Sequence, residues 1–122
     1  MANRIVHFEL MGPDAQTMRD FYRRMFGWVT QAAPGLDDYY LVDSEEAGIG
    51  GAVGKGPSES PTYQTIYVEV DHIDTALAKA EELGATTVVP RTEVPGAVTF
   101  ALFSDPAGNL VGLVEAAPPP AP

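Results

Sequence analysis

A weak internal repeat constrains this chain more than any other feature. The first half opens with a strand at about 4–10 (RIVHFEL) and a helix at about 14–26 (DAQTMRDFYRRMF). The second half opens the same way, with a strand at about 64–70 (QTIYVEV) and a helix at about 74–83 (DTALAKAEEL). Asp14 and Asp74 stand where N-caps belong, and Gly27 and Gly84 where left-handed stops belong. Met18, Phe21, Tyr22, Met25 and Phe26 recur at helical spacing in the first helix, and Leu77, Ala80 and Leu83 in the second. Shorter strands follow near 39–43, 49–53, 86–89, 98–103 and 110–115, separated by Gly/Pro turns such as SDPAGN. The pattern predicts an α+β fold: two βαβββ modules whose helices cover one sheet face.

The aperiodic segment GKGPSESP at 54–61 reads as the linker between a first module at about 4–53 and a second at about 62–115. Together they make one domain over residues 1–115, since 122 residues supply one core and not two. The tail AAPPPAP at 116–122 is expected to be extended or disordered.

Charge narrows the partners. Seven Lys+Arg against 17 Asp+Glu give a net charge of −10, which excludes a phosphate-binding surface for nucleic acid and disfavours an anionic membrane. No apolar run reaches the roughly 18–20 residues of a membrane span. The opening MANRIVHFEL carries no apolar signal segment, so a cytoplasmic protein is expected. The absence of cysteine excludes disulfides, iron–sulfur clusters, Cys-type zinc sites and thiol nucleophiles.

Period-2 alternation assigns the strand faces. Val6, Phe8 and Leu10 share one face of the first strand, and Ile5, His7 and Glu9 the other. Ile66, Val68 and Val70 share one face of its counterpart, and Thr65, Tyr67 and Glu69 the other. The apolar faces are expected to bury against the helices. The polar faces fit either a solvated sheet surface or a partly dry pocket lined by His7, Glu9, Tyr67 and Glu69. In the second case imidazole, carboxylate and phenol supply general acid, general base and hydrogen-bond donor.

Other motifs fail on inspection. GIGGAVGKG at 48–56 lacks the glycine at 53 that a dinucleotide fingerprint needs, and lacks Ser or Thr after the lysine of a P-loop. His7-Phe8-Glu9 matches the H-x-E of zinc deaminases, whose P-C-x-x-C partner is impossible without cysteine. His72 reads as a surface or capping residue, and Lys55 and Arg91 as solvated loop charges.

Three segments carry a family resemblance: HFELMGPDAQTMRDFYRRMFGW at 7–28, DHIDTALAKAEELGATTVVP at 71–90 and FSDPAGNLVGLVE at 103–115. In this order they resemble the vicinal-oxygen-chelate superfamily of glyoxalase, bleomycin-resistance and dioxygenase proteins. The resemblance implies paired βαβββ modules forming a cupped mixed sheet around a pocket, and commonly a homodimer that completes the pockets. Metal-dependent members take one ligand from each of four strands, usually two His or Gln and two Glu. Carried over, His7 matches the first ligand, but the others fall on Thr65, Gly112 and the acid-free IGGAV at 49–53.

The resemblance therefore implies a protein that uses neither metal nor other cofactor, with a shifted site of His7, Glu9 and Glu69 as the remaining metal alternative. Glycines at 50, 51 and 112 are expected to open space for a small organic ligand flanked by Trp28, Tyr39, Phe100 and Thr65. Three functions stay open: a metal-independent enzyme of lyase or isomerase type, a binding protein that sequesters an antibiotic or metabolite, and a metal-dependent glyoxalase-type lyase or dioxygenase.

Overall fold

Each half of the chain builds a run of four strands in which the first pairs parallel to the fourth. The computed structural model describes residues 2–116. Over these, β1 (Ile5–Gly12), α1 (Ala15–Phe26), β2 (Thr30–Ala32), β3 (Tyr39–Val42), α2 (Ser44–Ala47) and β4 (Gly51–Lys55) precede β5 (Tyr63–Val70). Then come α3 (Ile73–Glu82), β6 (Thr86–Val94), β7 (Val98–Ser104) and β8 (Leu110–Glu115). The architecture is α+β, as the repeat implied. Chain contacts divide it into a unit spanning Val6–Ile66 and a unit comprising the residues up to Ile5 with those from Tyr67 on.

In the Val6–Ile66 unit the strands run β2-β3-β4-β1. β1 and β4 are parallel, with Phe8 opposite Gly51 and Glu9 opposite Ala52, while β3 is antiparallel to β4. Asp14 caps α1, accepting the Gln16 amide at 3.0 Å and the Thr17 hydroxyl at 3.0 Å. Gly27 ends the helix at φ 79°, where a side chain would be strained. The apolar stripe assigned to α1 is only partly inward. Met18 and Tyr22 are half-buried, but Phe21, Met25 and Phe26 are exposed.

In the second unit the order is β5-β8-β7-β6, with β5 parallel to β8. Its core joins Ile73 and Leu77 of α3 to Ala101 and Leu113, with Val68, Val70 and Phe103 packed against them. Val68 and Val70 therefore face the helix as alternation required.

Several expectations need correction. Ile66, on the face assigned to the core, is 39% exposed, and Leu83 is 70% exposed because α3 ends before it. Asp74 does not cap α3; His72 occupies that position without a side-chain bond, and the Ile73 amide donates to Glu115 Oε2 at 3.1 Å. Arg91 is not a solvated loop charge. It lies in β6 and pairs with Glu115 at 3.2 Å. β6 runs five residues past its expected end through Pro90, tolerated because the strand is outermost in its sheet and irregular there. The presumed linker begins inside β4, whose last residue is Lys55. At the tail, the Ala116 amide bonds the Val70 carbonyl at 2.9 Å, while 117–122 lie outside the described residues. Among the described residues, no helix is long and apolar enough to cross a membrane.

Candidate active site

The chemistry of the Val6–Ile66 unit converges on Glu9. Pleating turns His7 and Glu9 of β1 away from α1, and Glu9 is only 5% exposed. Two strands away, Tyr39 shares that face. β4 lies between them, a crossing of about 9–10 Å at normal strand spacing. It presents only Ala52 and Gly54 to this face, so nothing obstructs the phenol.

Backbone geometry sets the entry of Tyr39. Asp38 takes the left-handed conformation at φ 54°, which a short polar side chain tolerates. Its carbonyl then lies so close to β4 that a Cβ on Gly54 would meet it at 2.3 Å. Gly54 is needed there for close approach, not for a turn.

The result is a chain of hydrogen bonds. Tyr39 Oη donates to Glu9 Oε2 at 2.5 Å, and Tyr63 Oη donates to Glu9 Oε1 at 3.2 Å. Having spent its only proton on Glu9, Tyr39 accepts from His7 Nε2–H at 2.9 Å. This assigns the proton of neutral His7 to Nε2 and leaves Nδ1 as the ring's basic nitrogen. Burial lowers the His7 pKa, which keeps the ring neutral at physiological pH. Burial first, and then the Glu9 charge and hydrogen bond, push the Tyr63 phenol up, so it stays a donor.

His7 also lines an open groove of about 840 Å³. Val6, Leu41 and Gly50 form apolar parts of its wall, and Asp43, Glu45 and Glu46 lie along it.

The other expected site residues fall elsewhere. Tyr67 and Gly112 are register partners in the second unit, and a Cβ on Gly112 would lie 2.4 Å from the Tyr67 ring. Glu69 and Phe100 share that face, on either side of Val114. Thr65 is buried, and its hydroxyl bonds the Ile66 carbonyl at 3.2 Å. Trp28 is not beside His7. It packs against Phe8 at 5.6 Å and stacks on Tyr22 at 5.5 Å, on the α1 side of the sheet.

Of the three glycines expected to open space, Gly50 does so, lining the groove where a Cβ would meet nothing nearer than the Val6 carbonyl at 3.9 Å, but the other two do not. Tyr67 fills the room over Gly112, and Phe8 fills that over Gly51, where a Cβ would lie 2.0 Å from the ring. Tyr63 escaped notice because it stands at the very start of its strand, outside the segment read as strand from the sequence.

Comparison with known proteins identifies the lineage. The family model described as Glyoxalase/Bleomycin resistance protein/Dioxygenase superfamily matches residues 4–113. The chain belongs to this superfamily.

Within it, the chain is 26% identical over 118 aligned residues to the anthracycline biosynthesis protein DnrV of Streptomyces peucetius, covering 83% of this chain and 42% of that one. It thus spans less than half the length of the curated relatives it matches. Among solved structures it resembles methylmalonyl-CoA epimerase from Mycobacterium tuberculosis, with TM-score 0.68, 17% identity, and 93% and 88% of the two chains covered. It also resembles the hypothetical protein BH1468 from Bacillus halodurans, with TM-score 0.72, 12% identity and both chains covered in full. At these identities the structural likenesses establish the superfamily fold.

The four-ligand metal set of some superfamily members does not fit these residues. Gly112 lies beneath the Tyr67 ring, which a larger side chain would have to displace, and β4 offers Ala52 and Gly54, with no ligating side chain, on the face that carries His7 and Glu9. Of the four positions only His7 carries an imidazole or carboxylate, and its Nε2 is bonded to Tyr39. Among the described residues, no group of three or more His, Asp or Glu is placed to hold a metal ion.

Proposed function

We propose that this protein binds a small organic molecule beside His7 and moves a proton on it without a metal, as an enzyme of lyase or isomerase type. The hydrogen-bonded chain His7–Tyr39–Glu9–Tyr63, whose His7 end lines the groove, carries this reading. Nδ1 of a neutral imidazole is a competent base near pH 7. When it takes a proton, Nε2–H donates more strongly to Tyr39, and the Glu9 charge beyond steadies the imidazolium. Glu9 need not change protonation for this. The substrate best suited is a carbon acid next to a carbonyl, whose proton the imidazole can remove and return. Tyr67 and Glu69, expected from the sequence to share this work, are not needed for the chain of bonds around Glu9.

Incubation in D2O with a panel of small α-substituted carbonyl compounds tests the reading. Solvent deuterium is expected at the activated carbon, and exchange is expected to fall by about 10²–10⁴-fold in His7→Gln. Exchange that persists undiminished in His7→Gln would remove His7 from the role.

Sequestration without chemistry is the second reading. Asp43, Glu45 and Glu46 along the groove favour a cationic ligand. A bound compound recovered unaltered, with no deuterium, would select it.

A further inference from the structure

We infer that Gly50 is held open for the ligand, and that the space its missing side chain leaves beside His7 seats an aromatic ring. The inference rests on the small-molecule reading above and deepens it, naming the substrate class as an uncharged aryl carbonyl compound. Five glycines lie between residues 48 and 56, and four of them serve the fold. Gly48 has φ 93°, a conformation that favours glycine. A Cβ on Gly51 would strike the Phe8 ring, one on Gly54 the Asp38 carbonyl, and one on Gly56 the Pro61 carbonyl. Gly50 answers to neither need. Its φ is not left-handed, and a Cβ there would meet nothing nearer than the Val6 carbonyl at 3.9 Å. Glycine loses more conformational freedom on folding than any other residue. One that the backbone does not require therefore marks a position where function overrules stability.

Strand register places that opening beside the imidazole. Phe8 stands opposite Gly51, and its amide donates to the Gly50 carbonyl at 3.2 Å, so Gly50 lies opposite His7 one step earlier. Paired residues of adjacent strands point to the same face, with the strands about 5 Å apart. The imidazole is therefore flanked on the β4 side by bare backbone. Both residues line the groove of about 840 Å³, whose apolar walls include Val6, Val29 and Leu41. A peptide plane with no side chain above it offers a flat floor, and the branched aliphatic groups give it sides. An aromatic ring lying on that floor fills the gap at van der Waals contact, whereas a methyl group leaves most of those contacts unmade. Asp43, Glu45 and Glu46 along the same groove repel a negatively charged ligand, which favours an uncharged one.

Hydroxyacetone and 2-hydroxyacetophenone test this, since both carry the same hydroxymethyl ketone and differ only in methyl against phenyl. Binding is read by NMR titration at the amide of residue 50, and turnover separately by deuterium uptake from D2O. The wild type is expected to bind the phenyl compound at least about tenfold more tightly, and to favour it to the same degree in kcat/KM. Gly50→Ala is expected to be at least as stable as the wild type, because it narrows the unfolded ensemble and meets no close neighbour. Gly50→Val fills the opening and is expected to erase the preference, chiefly through KM, with Gly50→Ala between the two. A wild type that does not prefer the phenyl compound overturns the inference, as does a Gly50→Val or Gly50→Ala protein that keeps the preference in full. Lower stability in Gly50→Ala overturns it too, because the fold would then need the glycine. Preferential binding without deuterium uptake removes the proton-transfer reading and leaves the seat at Gly50 standing.

Discussion

The Tyr39 hydroxyl reaches across β4 to donate to Glu9 Oε2 at 2.5 Å, and the same oxygen receives the Nε2–H of His7. One phenol thereby fixes both the tautomer of the imidazole and the setting of the carboxylate. Ala52 and Gly54 permit it by offering no bulk on the strand between.

Removing that hydroxyl should be felt twice. Tyr39→Phe leaves the ring in place but withdraws a donor from a buried carboxylate and an acceptor from His7. Stability is expected to fall by about 1–3 kcal/mol, measured by urea denaturation. Nitrogen NMR is expected to show His7 passing from a single tautomer to a mixture. A spectrum unchanged from wild type would mean that Tyr39 does not hold the ring.

Acid should weaken the fold through His7. Its folded-state pKa is lowered by burial from the ordinary 6.5, so as pH falls the unfolded chain takes up the proton first. Stability is expected to be undiminished by this group above about 6.5, to decline below it, and to level off beneath the lowered value. His7→Gln, which keeps a donor toward Tyr39, should flatten that part of the profile. Denaturation midpoints at pH 7.5 and at pH 5.5 compare the two proteins directly.

Gly112 should not accept a methyl group. A Cβ there would lie 2.4 Å from the ring of Tyr67, which is itself buried. Gly112→Ala is expected to cost about 1–3 kcal/mol through the displaced ring. In a Tyr67→Ala background the cost should largely vanish, and the double-mutant cycle measures that coupling.

Glu115 should contribute to the acid limb in the same direction as His7, but at lower pH. The Arg91 hydrogen bond, and next the Ile73 amide, hold its carboxyl below the usual glutamate range. Its contribution is present above the unfolded value of 4.5 and is lost as pH falls through the lowered folded value. Glu115→Gln is expected to abolish that dependence and to fray the first turn of α3, read as faster amide exchange at Ile73. Exchange at Ile73 as slow as in the wild type would show that the carboxylate does not hold that end.

Much of this molecule was legible before any coordinates, because its signals are local. Asp14 and Gly27 bound α1 through bonds and dihedrals spanning a few residues, and alternation placed His7 and Glu9 on one face of β1. The repeated order of strand and helix implied the α+β class, and the string from His7 to Trp28 implied the superfamily.

What escaped was decided by register between strands distant in sequence. Nothing near Tyr39 says that it stands opposite Gly54, or that Ala52 leaves it a path to Glu9 thirty residues away. The same holds for Gly112, read as a vacancy and found beneath Tyr67, and for Trp28, drawn to the α1 side by Phe8 and Tyr22. A sequence states which face of its own strand a side chain takes, since pleating alternates within the strand. Which groups meet on that face depends on pairings that only the folded chain selects.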